Sequence, residues 1–145
     1  MTTIGPRWYD MVAHPVRSEF ARTLMFDQGT RFIGAVAGRG GGKTEIIKRW
    51  LVSRLRMRHK HPRPLYAYTA PTLPQAVAIA WDDLLSLIPP DWTRGEELIE
   101  KSHLRIRTRF GSALEIHGLD RAHRMEGRQY DGIAVDESSD VKPGA

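Results

Sequence analysis

The stretch FIGAVAGRGGGKTEIIKRWL, residues 32–51, places four glycines and a Lys-Thr pair between two apolar runs. The first run, RFIGAVA at 31–37, predicts a buried strand of the parallel-sheet type, because it is short, apolar and followed by glycines. The second run repeats its apolar residues at helical spacing, which predicts an amphipathic helix from about Lys43 to about His59. The stretch is therefore a predicted strand, glycine-rich loop and helix.

The loop GRGGGKT, residues 38–44, has the composition of a phosphate-binding loop. Glycines let successive backbone N–H groups point at an anion, and the helix N-terminus adds a favourable dipole. Lys43 supplies an ammonium group for the terminal phosphates, and Thr44 supplies a hydroxyl suited to Mg²⁺. A glycine-rich turn that only joins the strand to the helix is the alternative, and it leaves the Lys-Thr pair unexplained. We predict that a nucleoside triphosphate binds through Gly38, Arg39, Gly40, Gly41, Gly42, Lys43 and Thr44.

Strand and helix patterns alternate along the rest of the chain. A leading helix is predicted within residues 1–30, and a helix that starts at a Thr72 cap and ends before Pro89-Pro90 follows a second buried strand. Two alternating segments joined by Gly-Ser predict a β-hairpin with arginines on one face. This order predicts a single α/β domain over residues 1–145, a three-layer sandwich with a mostly parallel sheet plus a β-hairpin. The remaining predicted strands are LYAYTA (65–70), HLRIRTRF (103–110), ALEIHGL (113–119) and IAV (133–135).

Two carboxylates, Asp136 and Glu137, follow the last predicted strand. In open α/β sheets, ligands bind where the carboxyl ends of the strands meet the loops. Asp136 is placed to hold Mg²⁺ through water, and Glu137 to orient or deprotonate an attacking water. An ordinary acidic loop is the alternative when this pair is taken without the glycine-rich loop.

Composition restricts the partners and the compartment. The chain has no cysteine, no apolar run long enough to span a membrane and no secretory signal, so we expect an intracellular protein without a membrane partner. The formal charge is +5, and no acidic residue occurs between Ile46 and Trp81, which favours a polyanionic partner as much as a solvated helix face. Candidate contacts to phosphates are Arg105, Arg107, Arg109 and the arginines near the end of the first helix. The histidines lack the spacing of a zinc site.

Four motifs, GRGGGKT, YTAPTLPQA, FGSALEIHG and EGRQYDGIAVDE, resemble in order and spacing the ATPase domain of the large terminase subunit. This family is the motor that packages DNA into the heads of tailed phages, and the resemblance covers roughly residues 15 to 140. It implies a P-loop NTPase fold. Ala37 stands where the general phosphate-loop pattern has glycine, a departure that is common in terminases.

The resemblance also implies roles for single residues. Lys43 and Thr44 would bind ATP and Mg²⁺, Asp136 would be the metal-side carboxylate, and Glu137 would be the catalytic one. Arg39 would sense or stabilise the γ-phosphate. Terminases carry a further arginine ahead of the acidic strand that acts on a neighbouring subunit's nucleotide; the candidates are Arg124, which we prefer, and Arg128, although Glu126 departs from the pattern.

The partners that the resemblance implies are double-stranded DNA, held by its phosphates, a portal protein and a small terminase subunit, in the cytoplasm of the host cell. The family works as a homo-oligomeric ring, whereas this chain stops soon after Glu137 without a nuclease constellation, so we expect a truncated or short version that is monomeric alone. The alternatives are a helicase-like DNA-dependent ATPase and a nucleotide-binding, nucleic-acid-binding module without turnover.

Overall fold

A computed structural model describes residues 42–57 and 62–137. The predicted leading helix and the predicted strand at 31–37 lie outside these residues. Of the helices in the described ranges, none has both the length and the apolar character that a membrane span requires. The helices are α1 (Lys43–Arg56), α2 (Leu73–Ala76) and α3 (Asp82–Leu87), with a π-helical turn (Val77–Trp81) between the last two; 3₁₀ turns cover Pro90–Thr93, Lys101–His103 and Leu119–Met125; the strands are β1 (Leu65–Ala70), β2 (Ile99–Glu100), β3 (Arg105–Arg107), β4 (Ala113–Gly118) and β5 (Gly132–Val135).

The described strands form one five-stranded sheet in the order β2-β3-β4-β1-β5. Strand β1 pairs in parallel with both β4 and β5, whereas β2 with β3 and β3 with β4 pair antiparallel. The α/β class, the mostly parallel core of the sheet and the hairpin of β3 and β4 are therefore confirmed. Strand β2 was not predicted, because two residues are too few to show alternation.

Alternation along the strands separates an apolar face of the sheet from a mixed one, which carries charged residues on β3 and β4 and the exposed Ile133 and Val135 on β5. Tyr66 lies opposite Leu114 and Tyr68 opposite Ile116, and all four side chains point to what we call the first face. Residues of α1 and of the segment from α2 to α3 pack on the same side, so both helical segments cover the first face. The buried core there includes Leu51, Val52, Leu55, Ala70, Ala76, Ala80, Trp81, Leu84, Ile106, Leu114 and Ala134.

The segment from α2 to α3 starts as predicted but is not a regular helix. The Thr72 side chain accepts a hydrogen bond from the Gln75 N–H at 3.3 Å, which satisfies one free donor of the first turn. The π-helical turn that follows lets Ala76 and Trp81, five positions apart, both be buried. A pattern based on a regular helical period does not reveal such a turn.

Gly118, the last residue of β4, allows a close approach between the sheet and the start of α2. A Cβ atom at this position would lie 2.2 Å from the backbone nitrogen of Leu73 and 2.6 Å from the carbonyl carbon of Thr72. Any larger residue would therefore push the start of α2 away from the end of β4.

The charged part of the second face of the sheet is organised around Glu115, which is 3% exposed. Its carboxylate is 2.7 Å from His117 Nε2 and 3.3 Å from Arg105 Nη2, and it also accepts a hydrogen bond from Arg128. Arg128 and Tyr130 belong to the connection between the parallel strands β4 and β5, and Tyr130 packs edge-on against His117. This connection therefore passes over the second face and is anchored there by Glu115.

We expect Glu115→Gln to reduce the free energy of unfolding by about 1–3 kcal/mol at neutral pH, since it removes hydrogen bonds to a charged group. Burial alone would raise the pKa of Glu115, but the His117 hydrogen bond and the charges of Arg128 and Arg105 outweigh it and hold the pKa below its ordinary value. A lowered pKa gives stability that is complete above the unfolded value and is lost as the pH falls through the folded value. The difference in free energy of unfolding between wild type and variant, measured by urea unfolding, should therefore become smaller in acid. A difference that does not change with pH would contradict the lowered pKa of Glu115.

Candidate functional site

The N-terminus of α1 and the residue that follows β5 meet at the carboxyl edge of the parallel strands. Thr44 Oγ1 donates a hydrogen bond of 2.7 Å to Oδ2 of Asp136, although the two residues are 92 positions apart in sequence. The backbone N–H of Asp136 donates to the carbonyl of Thr69 at 2.9 Å, which continues the pairing of β5 with β1 past the last strand residue. The structure therefore brings together two of the residues that the sequence assigned to one site.

Helix α1 begins with a backbone that only glycine adopts without strain. Gly42 caps the helix with φ at 75°, in the left-handed region, and its carbonyl accepts the N–H of Ile46 at 3.1 Å. Lys43 and Thr44 follow as the first helical residues, and both side chains are partly buried. The first-turn N–H groups of this 14-residue helix are therefore directed towards the edge of the sheet where Asp136 lies.

The Asp136 carboxylate is 5% exposed and is held by three donors. Its Oδ2 accepts from both Thr44 Oγ1 and the Tyr68 hydroxyl, each at 2.7 Å, and its Oδ1 accepts from the Glu137 N–H at 3.0 Å. A buried carboxylate is stable only when its oxygens are hydrogen-bonded or paired. These three contacts, none of which comes from a cationic side chain, therefore fix the orientation of the carboxylate.

Tyr68 is a site residue that sequence analysis did not identify. It is fully buried in the middle of β1, on the first face, beside Ala134 of β5. Burial, followed by the hydrogen bond and the negative charge of Asp136, raises the pKa of Tyr68, so the phenol remains a donor. Its sequence context, LYAYTA, is that of a core strand. Only the register between β1 and β5 reveals its role.

Glu137 differs from its neighbour in exposure and in backbone conformation. Its side chain is exposed, and its φ of 54° lies in the left-handed region that non-glycine residues rarely adopt. Such a conformation costs about 1 kcal/mol and is found at sites where the surrounding structure imposes it. Glu137 is therefore a solvent-accessible carboxylate directly beside a buried one.

Of the other residues predicted for the site, four lie outside the described residues and two arginines lie elsewhere in the fold. Gly38, Arg39, Gly40 and Gly41 lie outside the described residues. Arg124 is exposed in the 3₁₀ turn that follows β4, and within the described ranges it forms no hydrogen bond or ion pair with Thr44, Asp136 or Glu137. Arg128, the other candidate, is bound to Glu115 on the second face.

The oxygen atoms at this site suit a magnesium ion. Mg²⁺ prefers hard oxygen ligands and is usually held by one or two protein groups together with waters and substrate phosphates. The Thr44 hydroxyl and the Asp136 carboxylate supply such oxygens at one point. Among the described residues no group of three or more His, Asp or Glu side chains could hold a metal by itself. The donor set therefore fits a metal that arrives with a phosphate ligand.

A buried lysine ties α1 to the neighbouring helix. Lys48 is 3% exposed, and its Nζ is 2.5 Å from Oδ2 of Asp83 on α3 and 3.8 Å from Oε1 of Glu45. Lys48 lies in the stretch between Ile46 and Trp81, for which the sequence left open a polyanionic partner and a solvated helix face. The ion pair with Asp83 instead fixes the position of α1, and so of Thr44, relative to the helix beside it.

A double-mutant cycle tests the contact between Tyr68 and Asp136. We expect Tyr68→Phe and Asp136→Ala to be coupled by about 1.5–3 kcal/mol in the free energy of unfolding, the range for hydrogen bonds to charged groups. The control cycle pairs Asp136→Ala with Tyr130→Phe, because the Tyr130 hydroxyl faces Glu115 and His117 on the second face. Additive effects in the first cycle would show that the two side chains are not bonded.

Comparisons with known proteins assign no family to the chain. No protein-family model matches it, and neither a curated protein nor a solved structure does. The geometry around Asp136 and the order of the sequence motifs are therefore the grounds on which a function can be argued.

Proposed function

We propose that this chain is the ATP-hydrolysing motor domain of a viral DNA-packaging terminase large subunit, which couples ATP hydrolysis to translocation of double-stranded DNA into a procapsid. One observation carries the proposal: the 2.7 Å hydrogen bond from Thr44 to Asp136, which joins the end of a glycine-rich loop to the tip of an acidic strand. The loop residues bind phosphate and the strand tip faces the metal in P-loop NTPases. The choice of a packaging motor within this class is supported by the resemblance of the four motifs.

In the proposed site, α1 receives the phosphates. The Gly42 cap and the first-turn N–H groups form the positive end of a long helix, and Lys43 adds an ammonium group. The remaining loop residues, Gly38 to Gly41 with Arg39 among them, would complete the cradle in front of this helix. Arg39 would then stabilise the charge that develops on the γ-phosphate.

Magnesium would be held by Thr44 and Asp136, and when bound it neutralises charge on the phosphate oxygens. Besides Thr44, the Tyr68 hydroxyl and the Glu137 N–H hold the carboxylate of Asp136 in place. The contact between Asp136 and Thr44 aligns the threonine hydroxyl with the metal-side carboxylate.

Glu137 is the proposed general base. Its carboxylate is exposed, so it can accept a proton from a water molecule, whereas the Asp136 carboxylate is buried and accepts three hydrogen bonds. The different surroundings of the two neighbouring acids support different roles for them.

Arg124 is the proposed arginine that acts on the nucleotide of a neighbouring subunit. It is exposed, whereas Arg128 is bound to the buried Glu115 and would have to break that pair to reach another subunit. This difference supports Arg124 over Arg128. The proposal also includes the three-layer P-loop NTPase fold. It further includes assembly into a ring, with a portal protein and a small terminase subunit as partners.

Substitution of Glu137 tests the proposal. We expect Glu137→Gln to lower ATP turnover by about 10²–10⁴-fold, the contribution of a general base, while ATP still binds. Lys43→Ala should instead weaken ATP binding itself. Turnover is measured by phosphate release from the full chain with Mg²⁺ and duplex DNA, and binding with a fluorescent ATP analogue. Glu97→Gln, which removes an exposed carboxylate elsewhere on the surface, is the matched control.

The outcomes separate the alternatives. Phosphate release that duplex DNA stimulates without strand separation supports a packaging motor, whereas strand separation indicates a helicase-like ATPase. A chain that binds ATP and releases no phosphate, with or without DNA, is a binding module without turnover. A chain that does not bind ATP contradicts the proposed site.

A further inference from the structure

The end of α1 opposite Thr44 contributes to a basic and aromatic surface. We call it the basic end patch and define it by the exposed residues Arg56, Arg63, Arg109 and Phe110. Arg56 lies in the last turn of α1, Arg63 precedes β1, and Arg109 and Phe110 lie in the loop between β3 and β4. The patch thus combines three chain segments that are distant in sequence.

These three segments are held together by specific contacts. Ser112 Oγ donates to the carbonyl of Leu55 at 2.5 Å and lies 2.6 Å from Thr108 Oγ1, so the hairpin loop is bonded to the end of α1. Gly111 has φ at 93°, and a Cβ atom there would lie 2.6 Å from the carbonyl oxygen of Pro62. Only glycine allows this approach, which places the loop against the residue preceding Arg63.

Aromatic rings orient two of the guanidinium groups. The Arg109 guanidinium carbon is 4.6 Å from the centre of the Phe110 ring, and that of Arg56 is 6.0 Å from the same ring and 5.9 Å from the Trp92 ring. Trp92 and Phe110 pack edge to face at 5.5 Å. Arginines stacked on aromatic faces lose less side-chain freedom when their N–H edges bind an anion.

Positive charge is in excess at this patch. Asp91, which is paired with Arg109 at 3.0 Å, is its acidic neighbour, and Arg56 and Arg63 have no carboxylate partner within the described ranges. The other hairpin arginines differ: Arg107 Nε is 3.1 Å from Glu100, and Arg105 contacts both Glu100 and Glu115. Of the predicted hairpin candidates, Arg109 is the one that lies in the patch with Arg56 and Arg63.

We propose that the basic end patch binds the phosphodiester backbone of double-stranded DNA. Arginines present planar N–H edges that match phosphate oxygens, and contacts of this type are independent of base sequence. The identification of the polyanion as double-stranded DNA rests on the proposed function, whereas the charge of the patch follows from its residues. Helix α1 has 14 residues and is about 20 Å long, so the nucleotide site and the DNA surface lie at opposite ends of one rigid element.

Binding of a labelled duplex to the full chain, followed by fluorescence anisotropy over a range of salt concentrations, tests this surface. We expect Arg56→Ala and Arg63→Ala each to weaken binding about three- to tenfold and to lower the salt slope by about one. Arg109→Ala should have a smaller effect, because Asp91 offsets its charge. Asp91→Asn should strengthen binding, because it removes the acidic charge from the patch. Arg107→Ala is the matched control, since Arg107 is an exposed arginine of the same hairpin whose charge is neutralised by Glu100.

Binding of a fluorescent ATP analogue is measured on the same variants and should not change. Variants that lose DNA binding and keep ATP binding support the patch proposal. A wild type that binds DNA but not ATP contradicts the proposed function and not the patch proposal. The patch proposal is overturned if Arg107→Ala weakens DNA binding as much as Arg56→Ala does, or if a triple variant of the patch arginines binds DNA like the wild type. It is also overturned if polyglutamate competes as well as duplex DNA at equal charge, since the partner would then be an acidic protein.

Discussion

The buried carboxylate of Asp136 is the constraint on which the arrangement of the site depends. A carboxylate that is 5% exposed must have its oxygens satisfied, and here the donors come from α1, from β1 and from the next backbone amide. Satisfying this one group therefore requires that the start of α1 lie at the carboxyl edge of the sheet and that β5 pair with β1 in a single register. The geometry proposed for nucleotide binding is a consequence of the same requirement.

Helix α1 is fixed at both ends by side chains from distant parts of the chain. Thr44 bonds Asp136 at its start, Lys48 bonds Asp83 one turn later, and the Leu55 carbonyl accepts from Ser112 at its end. Its apolar residues pack on the first face of the sheet between these points. The proposed nucleotide site and the proposed DNA surface are therefore joined by one helix that is held at both ends.

Local patterns in the sequence were sufficient for most of the described elements. Strand β1 matches the predicted LYAYTA run, the hairpin was predicted from alternation, and the Thr72 cap and the two helical stripes were predicted from spacing. Strand β2 and the π-helical turn were missed, because the first is too short and the second breaks the regular period. The role of Tyr68 and the pairing of the hairpin arginines with Glu100 and Glu115 were not predictable, since they depend on which strands become neighbours.

The sequence by itself determined the kinds of element, the composition of the glycine-rich loop and the presence of two adjacent acids after an apolar strand. These properties are local, because propensity, capping and periodicity act over a few residues. Only the tertiary structure decided that Thr44 contacts Asp136 across 92 positions, that Tyr68 completes this contact, and that Arg105 and Arg107 are neutralised while Arg56 and Arg63 are left without a carboxylate partner among the described residues. Such contacts depend on strand order and register, because these decide which polar and charged groups become partners when they are buried. A single segment of sequence therefore carries no signal for them.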